Sequence, residues 1–112
     1  MKIYLAPMEG ITGEVYRRAY HTFFEPMDKY FTPFLNPNPK GKFSRQEWNE
    51  ILPENNEGMY TVPQILTNHA EDFIRLARQL KEFGYEEVNL NLGCPSKTVV
   101  NRKRGSGFLF YP

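Results

Sequence analysis

The chain has 112 residues, of which 40% are hydrophobic and 15% aromatic; this suggests one folded domain and argues against disorder. A formal net charge of +1 excludes a strongly basic protein that nucleic acid or a membrane would attract as a whole, so any RNA contact must be local. One cysteine excludes an internal disulfide, and no Cys/His set has the spacing of metal ligands.

The chain begins with a predicted strand and helix. Residues 2–7 predict a strand that ends at Pro7, because proline removes a donor from the ladder. Residues 13–23 predict a helix capped by Thr12. Four-residue spacing places three apolar side chains on one face of it: Val15, Ala19 and Phe23.

A second unit follows. Residues 29–34 predict a weaker strand, and residues 35–42, with two Asn-Pro steps, predict a loop. Residues 44–52 predict a short helix whose start carries a capping box of Ser44 and Glu47.

The second half of the chain has the stronger patterns. Residues 59–66 predict a third strand, although a proline interrupts it. The best helix of the chain follows, with Asn68 and Glu71 as a capping pair and Gly84 at its end. Its predicted apolar positions are Phe73, Ile74, Ala77 and Leu80. Residues 86–92 predict a fourth strand.

Alternating strands and helices indicate the α/β class and a parallel sheet. Four βα units could form a small open sheet or the N-terminal half of a TIM (β/α)8 barrel, whose complete form needs about 250 residues. The final residues begin an apolar run with no helix after it, so we expect a truncated barrel.

Ligands of parallel α/β proteins bind beyond the carboxyl ends of the strands. Cys94 follows the fourth strand between Gly93 and Pro95, which hold the thiol on a rigid turn. A free cysteine is most often a small packing group. The turn instead favours a reactive thiol, and a proton donor rather than a nucleophile, because no histidine falls at a strand end.

Two amides accompany this thiol. Asn91 shares one strand face with Asn89, and Gln64 lies on the third strand. Each is either a satisfied structural amide or a ligand for the edge of a heterocycle. The basic run after the turn includes Lys97, Arg102 and Arg104, which indicate either a solvated loop or a contact with phosphates.

The segments "LAPMEGIT", "VPQILTN" and "VNLNLGCPSKTVVNRKRGSGF" together resemble the successive motifs of the tRNA-dihydrouridine synthases. This resemblance covers nearly the whole chain. It implies a TIM barrel that binds FMN, followed by a helical tRNA-binding domain. It also implies the reduction of particular tRNA uridines to 5,6-dihydrouridine, with NADPH as the reductant.

The resemblance also implies roles for single residues. Cys94 matches the proton donor to uracil C5, opposite the hydride that FMN N5 delivers to C6, and Asn91 matches the amide that holds the uracil. The flavin would be contacted by four residues: Pro7, Met8, Glu9 and Gln64. We expect Lys97, Arg102 and Arg104 to bind the tRNA near the entrance.

Residues 1–112 would then be a partial FMN-binding barrel domain, without the other half-barrel and the helical domain. We expect this chain to be poorly active alone and to self-associate through exposed strand edges. Two alternatives stay open. One is another FMN barrel, such as a dihydroorotate dehydrogenase; the other is a non-catalytic half-barrel that binds RNA. The sequence shows neither a signal-peptide pattern nor a membrane-length apolar run, so we expect a cytoplasmic location.

Overall fold

The computed structural model describes residues 1–111 and is an α/β structure, as predicted. Its elements are β1 (Tyr4–Leu5), α1 (Glu14–Phe23), β2 (Lys29–Phe31), α2 (Arg45–Ile51), β3 (Thr61–Val62), β4 (Gln64–Ile65), α3 (Ala70–Glu82), β5 (Asn89–Leu90) and α4 (Lys97–Val100). Two 3-10 helices cover Pro53–Asn56 and Gly105–Phe110.

The strands pair in parallel, and strands that follow one another in the sequence lie side by side. One sheet has three strands in the order β1-β2-β3, and β4 pairs with β5 in a second, two-stranded sheet. Pro63 lies between β3 and β4; it has no N–H to donate, and its carbonyl accepts from the Asn89 N–H at 2.9 Å on the side of β5. The hydroxyl of Thr32 accepts a hydrogen bond from the Gln64 N–H at 3.1 Å, so the chain stays attached to its neighbour across this break.

The apolar core lies beneath the sheet, against α2 and α3. Its buried members are Leu35, Ile51, Ile65, Leu76 and Leu80. On α3 the prediction was partly wrong: Ile74 is 48% exposed, and Leu76 is buried instead. Ile74 lies about 100° around the helix from Phe73, which packs on the core, so the two cannot share one face.

The predicted capping box of α2 and glycine end of α3 are confirmed. The Ser44 hydroxyl accepts from the Glu47 N–H at 3.1 Å, and the Glu47 carboxylate accepts from the Ser44 N–H at 3.0 Å. Gly84 has φ +98°. Its N–H donates to the Lys81 carbonyl and the Tyr85 N–H donates to the Leu80 carbonyl, which closes the last turn of α3.

The other two predicted caps were wrong. Gly13, not Thr12, is the N-cap of α1, and the Thr12 hydroxyl instead accepts from the Met8 N–H at 2.8 Å. His69, not Asn68, is the N-cap of α3 and makes no side-chain cap bond. Asn68 instead donates to the Arg102 carbonyl at 3.3 Å. Both side chains therefore bond to backbone groups outside the helices that they were predicted to cap.

The burial of α1 is the reverse of the prediction. Val15 is 72% and Phe23 79% exposed, whereas Arg17 is fully buried. The Arg17 guanidinium forms an ion pair with Glu50 at 2.5 Å and donates to Asn56 at 3.0 Å. A buried cation requires such partners, so Arg17 determines which face of α1 turns inward.

Glu50 also replaces the missing cap of α1. Its second carboxylate oxygen accepts from the Glu14 N–H at 3.3 Å, at the positive end of the α1 dipole. Asn56 extends this buried network to Tyr85, whose hydroxyl donates to the Ile51 carbonyl at 2.7 Å. Burial raises the pKa of Tyr85 to about 12. The network therefore joins α1, α2 and the end of α3 away from the solvent.

Candidate functional site

A cavity of about 420 Å³ opens where β1, β2, β4 and β5 end. We call it the main cavity. It is lined by Pro7, Met8, Glu9, Pro33, Phe34, Gln64, Leu90, Asn91, Leu92, Gly93, Cys94 and Pro95. The structure thus brings together six of the nine predicted site residues, from three distant parts of the chain. Pro33 and Phe34 were not predicted as lining residues, although they lie at the carboxyl end of the predicted strand of residues 29–34.

A hydrogen-bonded cluster of three amides forms the floor of the site. Gln64 is 93% buried, and its Nε2 donates to Asn89 Oδ1 at 2.8 Å. Gln64 Oε1 accepts from Asn91 Nδ2 at 2.9 Å. The β4–β5 register places Gln64 opposite Asn89, which explains why these side chains meet on one face. Gln64 and Asn91 are therefore hydrogen-bonded to each other and also line the main cavity, so the structural and the ligand-binding interpretation of these amides are compatible.

Asn91 shapes the turn that carries the thiol. Its Oδ1 accepts from the Gly93 N–H at 3.1 Å and from the Cys94 N–H at 3.0 Å. This is the side-chain-to-backbone pattern that makes asparagine frequent in turns. Asn91 therefore holds the turn of residues 91–95, which we call the cysteine turn. Cys94 is half-buried at its end and is a free thiol.

The chain returns to the cysteine turn twelve residues later. The N–H and the hydroxyl of Ser106 both donate to the Cys94 carbonyl, at 3.1 and 3.0 Å. No role was assigned to Ser106 from the sequence, so this contact was missed. The available signal was a pair of glycines, which indicates close backbone approach without saying to what.

A second cleft of about 690 Å³ adjoins the main cavity and shares Glu9 and Phe34 with it. We call it the polar cleft. Arg102 and Arg104 line it together with the carboxylate of Glu47 and the Asn-Pro loop. Arg104 is half-buried, and its Nε makes no hydrogen bond within residues 1–111.

Lys97 is placed differently from the two arginines. It begins α4, is exposed, and lines neither the main cavity nor the polar cleft. The predicted basic group is thus divided: two arginines face the cleft, and the lysine stands outside it.

Within residues 1–111 no group of three or more His, Cys, Asp or Glu side chains is placed to bind a metal ion. No helix in this part of the chain is long and apolar enough to cross a membrane.

Comparison with known families identifies the chain. The model of the dihydrouridine synthase (Dus) family matches residues 4–112. The chain belongs to the dihydrouridine synthase family. Of the twelve residues that line the main cavity, ten lie in the segments that carried the resemblance, and the exceptions are Pro33 and Phe34.

Curated relatives extend the comparison. The chain is 29% identical over 111 residues to tRNA-dihydrouridine synthase B of Pasteurella multocida (strain Pm70). This match covers 99% of the chain and 32% of that protein. It is 32% identical over 112 residues to a probable tRNA-dihydrouridine synthase of Staphylococcus aureus (strain COL), covering 96% of this chain and 33% of that protein. This dihydrouridine synthase family member therefore spans about a third of the length of the relatives that it matches.

Proposed function

We propose that the chain carries the uracil-facing part of an FMN-dependent tRNA-dihydrouridine synthase, which reduces specific tRNA uridines with NADPH as the reductant. The observation that supports this most is the meeting of Cys94, Asn91 and Gln64 with residues 7–9 around one cavity. Membership of the family and the names of the relatives agree with it.

The main cavity suits the ring system of a flavin. Apolar side chains such as Phe34 and Met8 offer flat contact, and a few polar groups stand at the edge, as in many cofactor sites. Gln64 keeps one N–H and one lone pair free after its two bonds, enough to contact a heterocycle. Pro7, Met8, Glu9 and Gln64 would hold the ring. No lysine or arginine of the described residues lines this cavity, so the FMN phosphate would need another partner.

Reduced FMN, when bound, supplies the hydride for uracil C6, and this chain supplies the rest of the addition. The Cys94 S–H gives its proton to C5, which completes the saturated 5,6 bond, and the thiolate regains a proton from water. An ordinary cysteine is protonated at neutral pH and can serve as such a donor.

Asn91 would orient the uracil as a hydrogen-bond donor and not as an acceptor. Its Oδ1 already accepts two backbone N–H bonds, and one N–H of its Nδ2 is bonded to Gln64. One N–H therefore remains, which fits a uracil carbonyl oxygen.

The substrate would enter past the polar cleft. A uridine in folded RNA must leave its stack, at a cost of a few kcal/mol, before it can enter such a cavity. Arg102 and Arg104 would contact the neighbouring phosphates, and Lys97 would bind the RNA farther out. We also propose a cytoplasmic location, where an enzyme that acts on tRNA would meet its substrate.

The architecture that we propose is the N-terminal half of a TIM barrel. The consecutive parallel strands and their helices agree with four βα units. In the relatives, the two-thirds outside the matched region provides the length for the remaining barrel and a helical tRNA-binding domain. We expect the 112-residue chain alone to be inactive.

Cys94→Ala tests the proposed function. The complete reading frame that encodes this chain would be purified with FMN and assayed with NADPH and an unmodified tRNA transcript. Loss of the general acid should lower the rate of dihydrouridine formation by about 10²–10⁴-fold. Ser96→Ala serves as a matched control, because within residues 1–111 the exposed Ser96 hydroxyl forms a hydrogen bond with Thr98 and none with the cysteine turn.

A near-normal rate in the Cys94→Ala protein would disprove the proton-donor role. Turnover of dihydroorotate, with no action on tRNA, would favour the dihydroorotate dehydrogenase alternative instead.

A further inference from the structure

We propose that Ser106 positions the Cys94 thiol, with Gly105 providing the close approach that lets it do so. The inference rests on the proposed function in one respect, the role of Cys94 as proton donor. The contacts between Ser106 and Cys94 do not depend on that function. Ser106 itself lines neither the main cavity nor the polar cleft, and it reaches the site through its two hydrogen bonds to the Cys94 carbonyl.

The backbone of Cys94 is held from both sides. Asn91 accepts its N–H at 3.0 Å, and Ser106 donates twice to its carbonyl. Pro95 then fixes the next φ angle and offers no N–H that could compete. With both flanking peptides held, the main freedom left to the thiol is rotation about the Cα–Cβ bond.

Gly105 makes the second clamp possible. It is buried and has φ +57°, a conformation that other residues rarely adopt. A Cβ at this position would stand 2.8 Å from the Cys94 carbonyl oxygen and 3.2 Å from the Cys94 Cβ. The backbone at Gly105 therefore lies against Cys94 itself, and any side chain there would push the turn away from Ser106.

This arrangement matters because proton transfer depends on placement. A donor displaced by about 1 Å can lose a large part of its rate. Cys94 lies on a loop, where supporting hydrogen bonds rather than a regular element fix the geometry. Asn91 comes from the same turn, whereas Ser106 ties the turn to the 3-10 helix Gly105–Phe110.

The first experiment measures the thiol directly in the 112-residue chain, which has one cysteine. The variants are Ser106→Ala, Ser106→Thr and the control Ser96→Ala, each checked by circular dichroism for an unchanged fold. We expect Ser106→Ala to speed the alkylation of Cys94 by iodoacetamide about fivefold, since losing one hydrogen bond lets the half-buried turn open. Ser106→Thr keeps the hydroxyl and should restore the original rate, and Ser96→Ala should leave it unchanged.

An alkylation rate in Ser106→Ala within twofold of the original would overturn the proposal, and so would an equal rise in Ser96→Ala. Failure of Ser106→Thr to restore the rate would rule out the hydroxyl as the positioning group.

The second experiment measures catalysis in the complete reading frame. Ser106→Ala should lower kcat for tRNA reduction about tenfold and leave KM unchanged, because Ser106 lines neither the main cavity nor the polar cleft. A change in KM alone would contradict positioning of the thiol. If the unaltered protein reduced no tRNA, the proposed function would fail while the alkylation result still decided whether Ser106 holds Cys94.

Discussion

Asn91 both holds the cysteine turn and lines the main cavity. The sequence indicated an amide near the thiol, and its placement in the main cavity agrees with that expectation. The geometry adds that its oxygen is already committed to the Gly93 and Cys94 N–H groups. The side-chain oxygen of Asn91 therefore shapes the cysteine turn, while its Nδ2 donates to Gln64 and retains a second N–H.

Two substitutions of Asn91 separate these roles. Asn91→Asp keeps an acceptor for the two N–H groups but loses the Nδ2 donor, whereas Asn91→Leu loses both. We expect Asn91→Leu to lower the free energy of unfolding by about 2 kcal/mol, because backbone donors lose their partner, and Asn91→Asp to lower it by less. Urea unfolding of both variants measures the difference; equal losses would show that the oxygen does not stabilise the turn.

Site residues differed in how well the sequence could predict them. Cys94, Gln64 and residues 7–9 follow or lie in predicted strands, and parallel strands bring their carboxyl ends together. Ser106 could not be found in this way, because it reaches the turn by a local return of the chain rather than through the sheet. Periodicity does not predict such returns.

At the scale of the elements, α1 shows the limit of pattern reading. Four-residue spacing correctly predicted a helix but not which of its faces is buried. Arg17 decides that face through its bonds to Glu50 and Asn56, which come from a different unit about 35 residues later. The capping box of α2 was predictable because both of its members lie within four residues of each other.

Glu50→Leu tests the importance of the Arg17 network. It would leave a buried guanidinium without its carboxylate and remove the acceptor at the start of α1. We expect the free energy of unfolding to fall by about 3–5 kcal/mol. Chemical denaturation measures this loss, with Glu54→Leu, at an exposed position, as the control expected within about 0.5 kcal/mol.

A double variant sharpens the test. Arg17→Met combined with Glu50→Leu removes both charges, so it should be more stable than Glu50→Leu alone. Equal stabilities of the two would show that the unpaired guanidinium is not the source of the loss.

The whole molecule exposes more surface than its size requires. Its accessible area is 7554 Å², whereas a monomeric protein of 13.2 kDa typically exposes about 6,400 Å². The excess of roughly 1,100 Å² is larger than the ~800 Å² that each partner buries in a standard interface. Val15 and Phe23 on α1, and Ile3 and Tyr4 at the β1 edge, are among the exposed apolar residues.

We therefore expect the 112-residue chain to self-associate. Analytical ultracentrifugation at micromolar concentrations should give a mass above 13.2 kDa. The double variant Val15→Glu/Phe23→Glu should shift the distribution toward the monomer, and Lys81→Glu on exposed α3 surface should not. A monomer at every concentration would contradict the expectation.

Pro63 has a consequence beyond the sheet. A third strand that ran unbroken would donate every second amide to the same neighbour and would keep a regular pleat up to its end. Pro63 lacks one such donor on the side of β5, where its carbonyl accepts from the Asn89 N–H, yet Leu35, which follows β2, stays bonded to Gln64 and Leu66 on the other side. Gln64, directly after this proline, meets Asn89 and Asn91, so the missing donor lies beside the amide cluster without detaching the chain from either neighbour.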